Sequence, residues 1–329
     1  LATDPAALPN FSLGIDLGGT NARAAVVDAQ GRIVSSAKRR LEDRSPEAVV
    51  EAIADAAQSA LAAAPGVTVR ACGVGAAGQL RGSTGVVAVA PNLGWREVPL
   101  GALLSKRLAR PVRVVNDLKA AAWGEKCAGA AQGQADVYTV FVGSGVGSAV
   151  IANGQLVLGA TGVAGELGHV KVVPGGRRCG CGEDGCLEAY AGGHNLIAQM
   201  REAIEANAAT ALLTRVNGDL GLLTAAVLEE VAAAGDPVAV RIYEQAVAFL
   251  AQSIANQVTV LNPAQLILGG GVLLHSPRTY DRIVQGVGQW AAWVSRQGLK
   301  VSPAALGDDS GLIGAALLAV DYLGGPTPH

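Results

Sequence analysis

One pattern occurs twice in this chain, and it narrows the available folds more than any other feature. Phe11–Asp16 reads as a strand entering the glycine turn Leu17-Gly18-Gly19-Thr20-Asn21. Ala22–Asp28 then resumes an apolar strand, and Gln30-Gly31 turns into Ile33–Ala37. The plan restarts near residue 136, with Asp136–Val142 a strand, Gly143-Ser-Gly-Val-Gly147 a glycine turn and Ser148–Ala152 a strand. Asn153-Gly154 is a hairpin turn, and Leu156–Leu158 is the strand after it. Both passages are β-hairpin series, unlike the strand–loop–helix of a P-loop. Such a duplication predicts two related lobes with a cleft between them.

The stretches between them fill in an α/β chain. Ser45-Pro46-Glu47 starts a helix over Ala48–Ala64, with Ser45 as the cap. Val67–Gly75 is a strand, Leu100–Leu108 a helix, Val112–Val115 a short buried strand and Leu118–Ala128 a helix. From Gly192 to Leu261 the pattern is mostly helical, in Leu196–Ala206, Thr224–Ala233 and Pro237–Leu261. Gln265–Leu268 is a strand feeding a third glycine turn, Gly269-Gly270-Gly271, and Ser310–Tyr322 is a closing helix. A length of 329 residues suits two domains. Aromatics are only 4% of a chain that is 50% apolar, so the core must be built from Ala, Val, Leu and Ile.

Charge and cysteine usage exclude several function classes. Lys and Arg number 25 against 27 Asp and Glu, a net charge of −2. That balance gives no basic face for a nucleic-acid backbone and no polybasic stretch for anionic lipid. The uncharged stretches Val137–Gly165 and Gln245–Pro277 are broken by glycine, asparagine and proline, and read as buried strands and loops, not membrane spans. The start, Leu1-Ala-Thr-Asp-Pro5, has no charged n-region or apolar h-region, so the expected location is the cytoplasm. Five cysteines, an odd number, argue against a disulfide framework.

Four groups of residues carry chemistry. Glycine turns after strands let backbone N–H groups approach a phosphate, because no Cβ obstructs them. One Gly-Gly alone is more simply a tight turn; two at equivalent places in a repeat, with a third near Gly270, favour phosphate. Asp16, two residues before Gly18, is placed to hold Mg²⁺ through water or to stabilise its own turn. Asn116-Asp117 ends a buried strand, where α/β proteins place ligands, and Asp117 is also a natural helix cap. His169 with Cys179, Cys181 and Cys186 is the ligand set of a closed tetrahedral zinc site, hence a structural zinc; a redox cysteine or inert thiols is the other reading. Metal on one His169 nitrogen would aim the other at a partner, and Glu166 and Glu188 bracket this loop as substrate-bonding or merely solvated carboxylates.

Together these motifs resemble the ROK family of sugar kinases (repressors, uncharacterised reading frames and kinases), and most of all its bacterial glucokinase branch. Gly14-Ile-Asp-Leu-Gly-Gly-Thr-Asn21 is similar to the family's first phosphate segment, Gly143-Ser-Gly-Val-Gly147 to the second and Leu268-Gly-Gly-Gly-Val272 to the adenosine-side segment. The Glu-x-Gly-His and Cys-x-Cys-x4-Cys-x-Glu signatures fall at Glu166–His169 and Cys179–Glu188. The resemblance implies an actin-like ATPase/hexokinase (ribonuclease H-like) fold, two lobes with an interlobe cleft. It divides the chain into a small lobe over 1–117, a large lobe with the zinc loop over 118–308, and a helix over 309–329 returning to the small lobe. It also implies a homodimeric enzyme of carbohydrate metabolism that phosphorylates the 6-hydroxyl of a hexose, glucose first, using ATP and Mg²⁺. Asp117 would be the general base, Asn116, Glu166, His169 and Glu188 would bind ring hydroxyls, and Asn92 would add a contact. Asp16 would assist Mg²⁺. ATP would meet Gly18, Gly19, Thr20, Asn21, Gly143, Ser144, Gly145, Gly147, Gly270 and Gly271. Lys119 departs from the family's pattern, which often has Asn there.

Three other readings stand beside this one. An N-acetylglucosamine or N-acetylmannosamine kinase of the same family would carry the same motifs. A sugar-sensing repressor would need an N-terminal helix-turn-helix, and only about ten residues precede the first strand here. An actin-like structural or chaperone ATPase would have no use for the Cys-His loop.

Overall fold

A computed structural model describes residues 10–324, with side chains through Asp321; residues 1–9 and 325–329, including His329, lie outside the described residues. The chain forms two compact units, one of Leu1–Ala135, Ala149–Ala164 and Ala305–His329, the other of Asp136–Ser148 and Gly165–Ala304.

The first unit is built on a five-stranded sheet. Its strands are β1 (Phe11–Leu17), β2 (Asn21–Asp28), β3 (Ile33–Arg40), β4 (Val69–Ala76) and, after the short β5 (Gln79–Leu80), β6 (Val87–Ala90) and β7 (Trp95–Val98), β8 (Val112–Asn116). The sheet order is β3-β2-β1-β4-β8, with the β1-β2-β3 hairpins antiparallel and β1, β4 and β8 parallel. β3 sits at the edge and alternates half-buried with exposed residues, whereas β1 and β4 are nearly continuous buried runs, the pattern of strands covered on both faces. α1 (Pro46–Ala62) packs on β2 and β3. Ser45 precedes it, but its hydroxyl bonds Asp43 and makes no cap bond, so the expected Ser45 cap is not formed.

α2 (Leu100–Leu108) and α3 (Asp117–Ala128) complete this part of the unit, with the closing helix, labelled α11 below, on β1, β4 and α3. That helix approaches through glycines. A Cβ at Gly14 of β1 would lie 2.1 Å from Leu312 O, and one at Gly73 of β4 would lie 1.8 Å from Ala315 O. Between α3 and the closing helix, a Cβ at Gly314 would lie 1.7 Å from Ala120 O. Backbone packs directly on backbone here.

The second five-stranded sheet repeats the order of the first. β9 (Val137–Val142), β10 (Val146–Ala152), β11 (Gln155–Leu156), β12 (Gln265–Gly269) and β13 (Lys300–Pro303) are arranged β11-β10-β9-β12-β13. β12 is parallel to both β9 and β13, as β4 is to β1 and β8. The duplication expected from the sequence is therefore present strand for strand.

The helices of the second unit are α4 (Glu188–Ala191), α5 (Gly193–Glu205), α6 (Leu212–Arg215), α7 (Ala225–Ala233), α8 (Pro237–Leu261), α9 (Gly271–Leu274) and α10 (Pro277–Trp290). α11 (Ser310–Gly324) is the closing helix of the first unit. The 25-residue α8 starts at an Asp236 cap that accepts from Val238 N and Ala239 N, with Pro237 next, and stops at Asn262 in the left-handed region (φ 46). No helix among the described residues is long and apolar enough to cross a membrane.

The units do not part where the sequence reading divides the chain. α3 belongs to the first unit because it packs on α11, which moves the first boundary from 117 to 135. The return begins at 305 and not 309, because the buried Glu125 carboxylate accepts from Ala305 N (3.0 Å) and Leu306 N (2.9 Å), as well as from Ala130 N. The three-stranded sheet β5-β6-β7 and β13 were not expected at all.

Gly73→Ala should cost about 3 kcal/mol or more, because the new methyl meets backbone that has no room to yield. Gly288→Ala on α10, where nothing lies within 4 Å, should instead be neutral or gain up to about 1 kcal/mol from helix propensity. Urea unfolding of the two variants beside the parent checks both.

Candidate active site and metal centre

In the first unit the carboxyl ends of three parallel strands come into register. Leu17 pairs with Ala76, and Ala76 with Asn116, so Asp16 and Asn116-Asp117 emerge at the same end of the sheet. A Cβ on Gly311 of α11 would sit 3.8 Å from both Asp117 O and Asp16 Oδ1. The first glycine turn follows β1, closed by Gly18 N–H to Asn21 O at 3.0 Å and tied to the chain just past β3 by Leu41 N–H to Thr20 O at 2.8 Å. Gly19 packs against Asn92, where a Cβ would come within 2.8 Å of the asparagine's own Cβ. Asn92 itself is exposed, on the 3-10 turn Pro91–Leu93.

Asn116, and not Asp117, caps α3. Its Oδ1 accepts from Leu118 N (3.0 Å) and Lys119 N (3.2 Å), and its Nδ2 donates to Gly78 O (3.2 Å) and Asp117 Oδ1 (2.9 Å). Asn116 has the extended backbone that an N-cap requires, whereas Asp117 is already the first helical residue. The amide's hydrogen-bonding capacity is thus used within the chain, which makes Asn116 an orienting residue in this geometry. Asp117 Oδ1 also accepts from Leu118 N at 2.9 Å, so two donors set the plane of this carboxylate at the positive end of a helix.

Asp16 stands in a charged cluster. Burial pushes its carboxyl up; Arg23, 4.0 Å away, opposes that, while Asp308 and Asp309 add to it. Arg23 in turn holds Asp308 O at 2.7 Å and the Asp309 carboxylate. A divalent cation beside this half-buried carboxylate would offset the cost of its charge.

In the second unit the second glycine turn joins β9 to β10 and is closed by Gly143 N–H to Gly145 O at 3.0 Å. Gly147 lies inside β10, outside the turn where it was expected, because the hairpin tightens at Gly145. The N-terminus of α5 grips this turn, with Gly193 N on Gly143 O (2.9 Å) and His194 N on Ser144 O (3.0 Å). Glu188 Oε2 accepts from Val146 N at 2.9 Å, and a Cβ on Gly145 would collide with that oxygen. The third turn places Gly270 at φ 87 directly against the end of β9, 2.5 Å from Val142 O for a would-be Cβ, with Gly271 opening α9.

The four sulfur and nitrogen ligands converge. One donor atom from each of His169, Cys179, Cys181 and Cys186 lies within 4.8 Å of the others. His169 Nδ1 is 3.8 Å from Cys179 Sγ, and Cys181 Sγ is 3.8 Å from Cys186 Sγ. A tetrahedron with arms of about 2.3 Å has edges of about 3.8 Å, so the residues fit a tetrahedral metal ion. Burial pushes the Cys179 thiol up to about 12, so a thiolate there calls for a cation beside it. His169 Nε2 points the other way, 3.7 Å from Glu166 Oε2. Lys171, which the sequence reading passed over, donates from Nζ to Cys186 Sγ (3.0 Å) and to Glu183.

Residues 12–322 match the ROK family. The chain belongs to the ROK family. The glucokinase of Streptomyces coelicolor (strain ATCC BAA-471 / A3(2) / M145) is 36% identical over 314 residues, covering 94% of this chain and 97% of that protein. The N-acetylmannosamine kinase of Citrobacter koseri is 32% identical over 313 residues, covering 94% and 98%. The crystal structure of a ROK family glucokinase from Streptomyces griseus in complex with glucose and AMPPNP matches with a TM-score of 0.77 at 37% identity, covering 94% of this chain and 99% of that one. The α/β fold of this ROK protein is accordingly the actin-like ATPase/hexokinase fold.

Because Asn116 Oδ1 holds the first turn of α3 in this ROK protein, Asn116→Ala should cost about 1–2 kcal/mol, and Asn116→Asp should also lose stability at neutral pH, since it keeps the cap acceptor but sets a carboxylate oxygen against Asp117 Oδ1 and Gly78 O. Urea unfolding of the two variants against the parent measures both losses.

Proposed function

We propose that this chain transfers the γ-phosphoryl group of ATP to the 6-hydroxyl of a hexose, with glucose preferred and glucose 6-phosphate as product. The likeness to glucokinases over nearly the whole length of both chains carries this reading. Phosphoryl transfer asks the protein for alignment and charge compensation more than for covalent chemistry. Asp117 takes the hydroxyl proton, its carboxylate aimed by Asn116 and Leu118 N–H. Glu166, His169 and Glu188 hold ring hydroxyls, and Asn92, beside Gly19, adds a contact. Hydroxyl-specific hydrogen bonds of this kind discriminate strongly against sugars lacking the group. The turns at Gly18–Asn21 and Gly143–Gly145, with Gly147 in the strand behind the second, receive the phosphates. Gly270 and Gly271 lie on the adenosine side. Asp16 holds Mg²⁺ through water; the ion supplies charge neutralisation to the triphosphate when bound.

The likeness to an N-acetylmannosamine kinase supports a second reading, in which an N-acetylated amino sugar is the acceptor. ADP release measured across glucose, N-acetylglucosamine and N-acetylmannosamine should give the highest kcat/KM with glucose. The same assay on Asp117→Ala should show turnover reduced by at least about a thousandfold with glucose still bound, as calorimetry would report. Near-normal turnover by that variant would remove Asp117 from the base role.

We also propose zinc as the metal of the Cys₃His centre, closed to water and structural, fixing the loop that carries Glu166, His169 and Glu188. Three thiolates around a dication leave one negative charge. Hydrogen bonds to Cys186 and Glu183 push the Lys171 amine up and keep it charged, so it offsets that excess. Purified protein should hold about one zinc per chain, and Lys171→Met should lose it to a chelator about tenfold faster. An indicator dye for released zinc measures both; equal rates would show that Lys171 does not support the centre.

A further inference from the structure

Lys119 is the one lysine among the described residues that lies buried, 3% exposed. An amine taken out of water is costly unless it is hydrogen-bonded, so its place calls for a purpose. It stands on the first turn of α3, two residues beyond Asp117, and its Nζ donates to Gly162 O at 2.7 Å. A cavity of about 300 Å³ opens beside it, with Asn116, Leu158 and Gly162 also on its wall.

The acceptor belongs to a glycine-rich segment. Gly159, Gly162 and Gly165 all have positive φ (75, 87 and 89), a backbone freedom that leaves many alternative paths. What selects one path comes mostly from outside the segment. Gly82 N–H donates to Thr161 O at 2.9 Å, Gly162 packs so closely on Gly82 that a Cβ would lie 2.8 Å from the Gly82 Cα, and Lys119 takes the next carbonyl. Within the segment, Ala164 N–H to Leu158 O at 2.9 Å and the longer Gly162 N–H to Gly159 O at 3.4 Å close it on itself. Four residues beyond Gly162 the chain reaches Glu166.

We infer that Lys119 is a positioning residue for the sugar acceptor, acting by clamping the 158–164 segment and thereby setting how the chain enters Glu166. This rests on the proposed sugar-kinase reading, in which Glu166 bonds a ring hydroxyl. Lys119 touches neither substrate in this role. Its loss loosens the hold on the sugar, leaves the grip on ATP intact and leaves the metal in place.

Three variants of the full-length enzyme test the inference. Lys119→Met keeps the aliphatic stem and removes the donor; Gly162→Ala pushes the same segment from its Gly82 side while leaving Lys119 untouched; Lys119→Arg restores a donor. Lys119→Met should raise the glucose KM about tenfold, the worth of one well-made hydrogen bond, with kcat, ATP KM and zinc content within about twofold of the parent. Gly162→Ala should reproduce that signature, Lys119→Arg should recover most of the affinity, and the Met/Ala double variant should be no worse than the poorer single one, since both act on one element. A glucose KM within twofold of the parent in both Lys119→Met and Gly162→Ala, or additive effects in the double variant, would overturn the inference. Hydrogen exchange of the amides at 159–164 separates the two proposals. If the parent phosphorylates no hexose, the kinase reading fails, yet exchange should still accelerate at 159–164 in Lys119→Met. Unchanged exchange there overturns the clamp whatever the activity, and should Lys119→Met not fold, the Gly162→Ala and Lys119→Arg arms decide the same question.

Discussion

The first unit depends on the absence of side chains at a handful of points. Gly14 and Gly73 let α11 lie with its carbonyls against β1 and β4, and Gly314 lets it lie against α3. No other residue type allows that approach, because a single methyl at any of these positions would overlap a backbone atom of the neighbour. The approach matters beyond packing. It brings Gly311 beside the Asp16 carboxylate and the Asp117 backbone carbonyl, so the helix that returns from the far end of the chain lies against both residues. Buried Glu125 reinforces the return by accepting from Ala305 N and Leu306 N where the chain re-enters the unit.

The two units hold their functional side chains by different means. In the first, regular structure suffices, because strand ends in register and one capped helix fix Asp16 and Asp117. In the second, Glu166 and His169 lie on a 3-10 turn within a stretch largely without helix or strand, which short bridges such as Lys171–Cys186 hold together. A small apolar cluster of Cys179, Cys186, Ala189 and Tyr190, with Val172, Val173 and Phe249 against it, packs behind that loop, and the Cys-His group gathers on it. The duplicated sheet thus supports an oriented carboxylate in one unit and a loop that gathers a Cys-His cluster in the other.

Much of this was legible in the sequence, for local reasons. Hairpin signals and strand-length apolar runs revealed both sheets apart from β13, and the spacing of His169, Cys179, Cys181 and Cys186 announced their convergence, because a ligand set needs particular residue types close together. What escaped notice depended on partners far away in the chain. Gly124 and Gly314 carry no mark that they face each other, so the boundary was drawn before α3 and not after it. Gln79–Leu80 is too short to read as a strand, and its sheet with β6 and β7 went unseen. The helix cap was assigned one residue late, since Asn and Asp are equally suited chemically and only backbone conformation chooses Asn116. Lys119 stood out as a departure from the family, but its acceptor, Gly162, lies on a distant loop.

The contact between Gly145 and Glu188 has a consequence for how such a chain can change over generations. The carboxylate sits where a side chain at 145 would be, and it holds the amide of Val146. Shortening Glu188 would strand that amide, and enlarging Gly145 would evict the carboxylate. Either change made alone disturbs the other residue, and Glu188 is two positions from Cys186 of the Cys-His cluster. The glycine turn at 145 and the loop that ends at 188, 43 residues apart in the chain, are therefore constrained together.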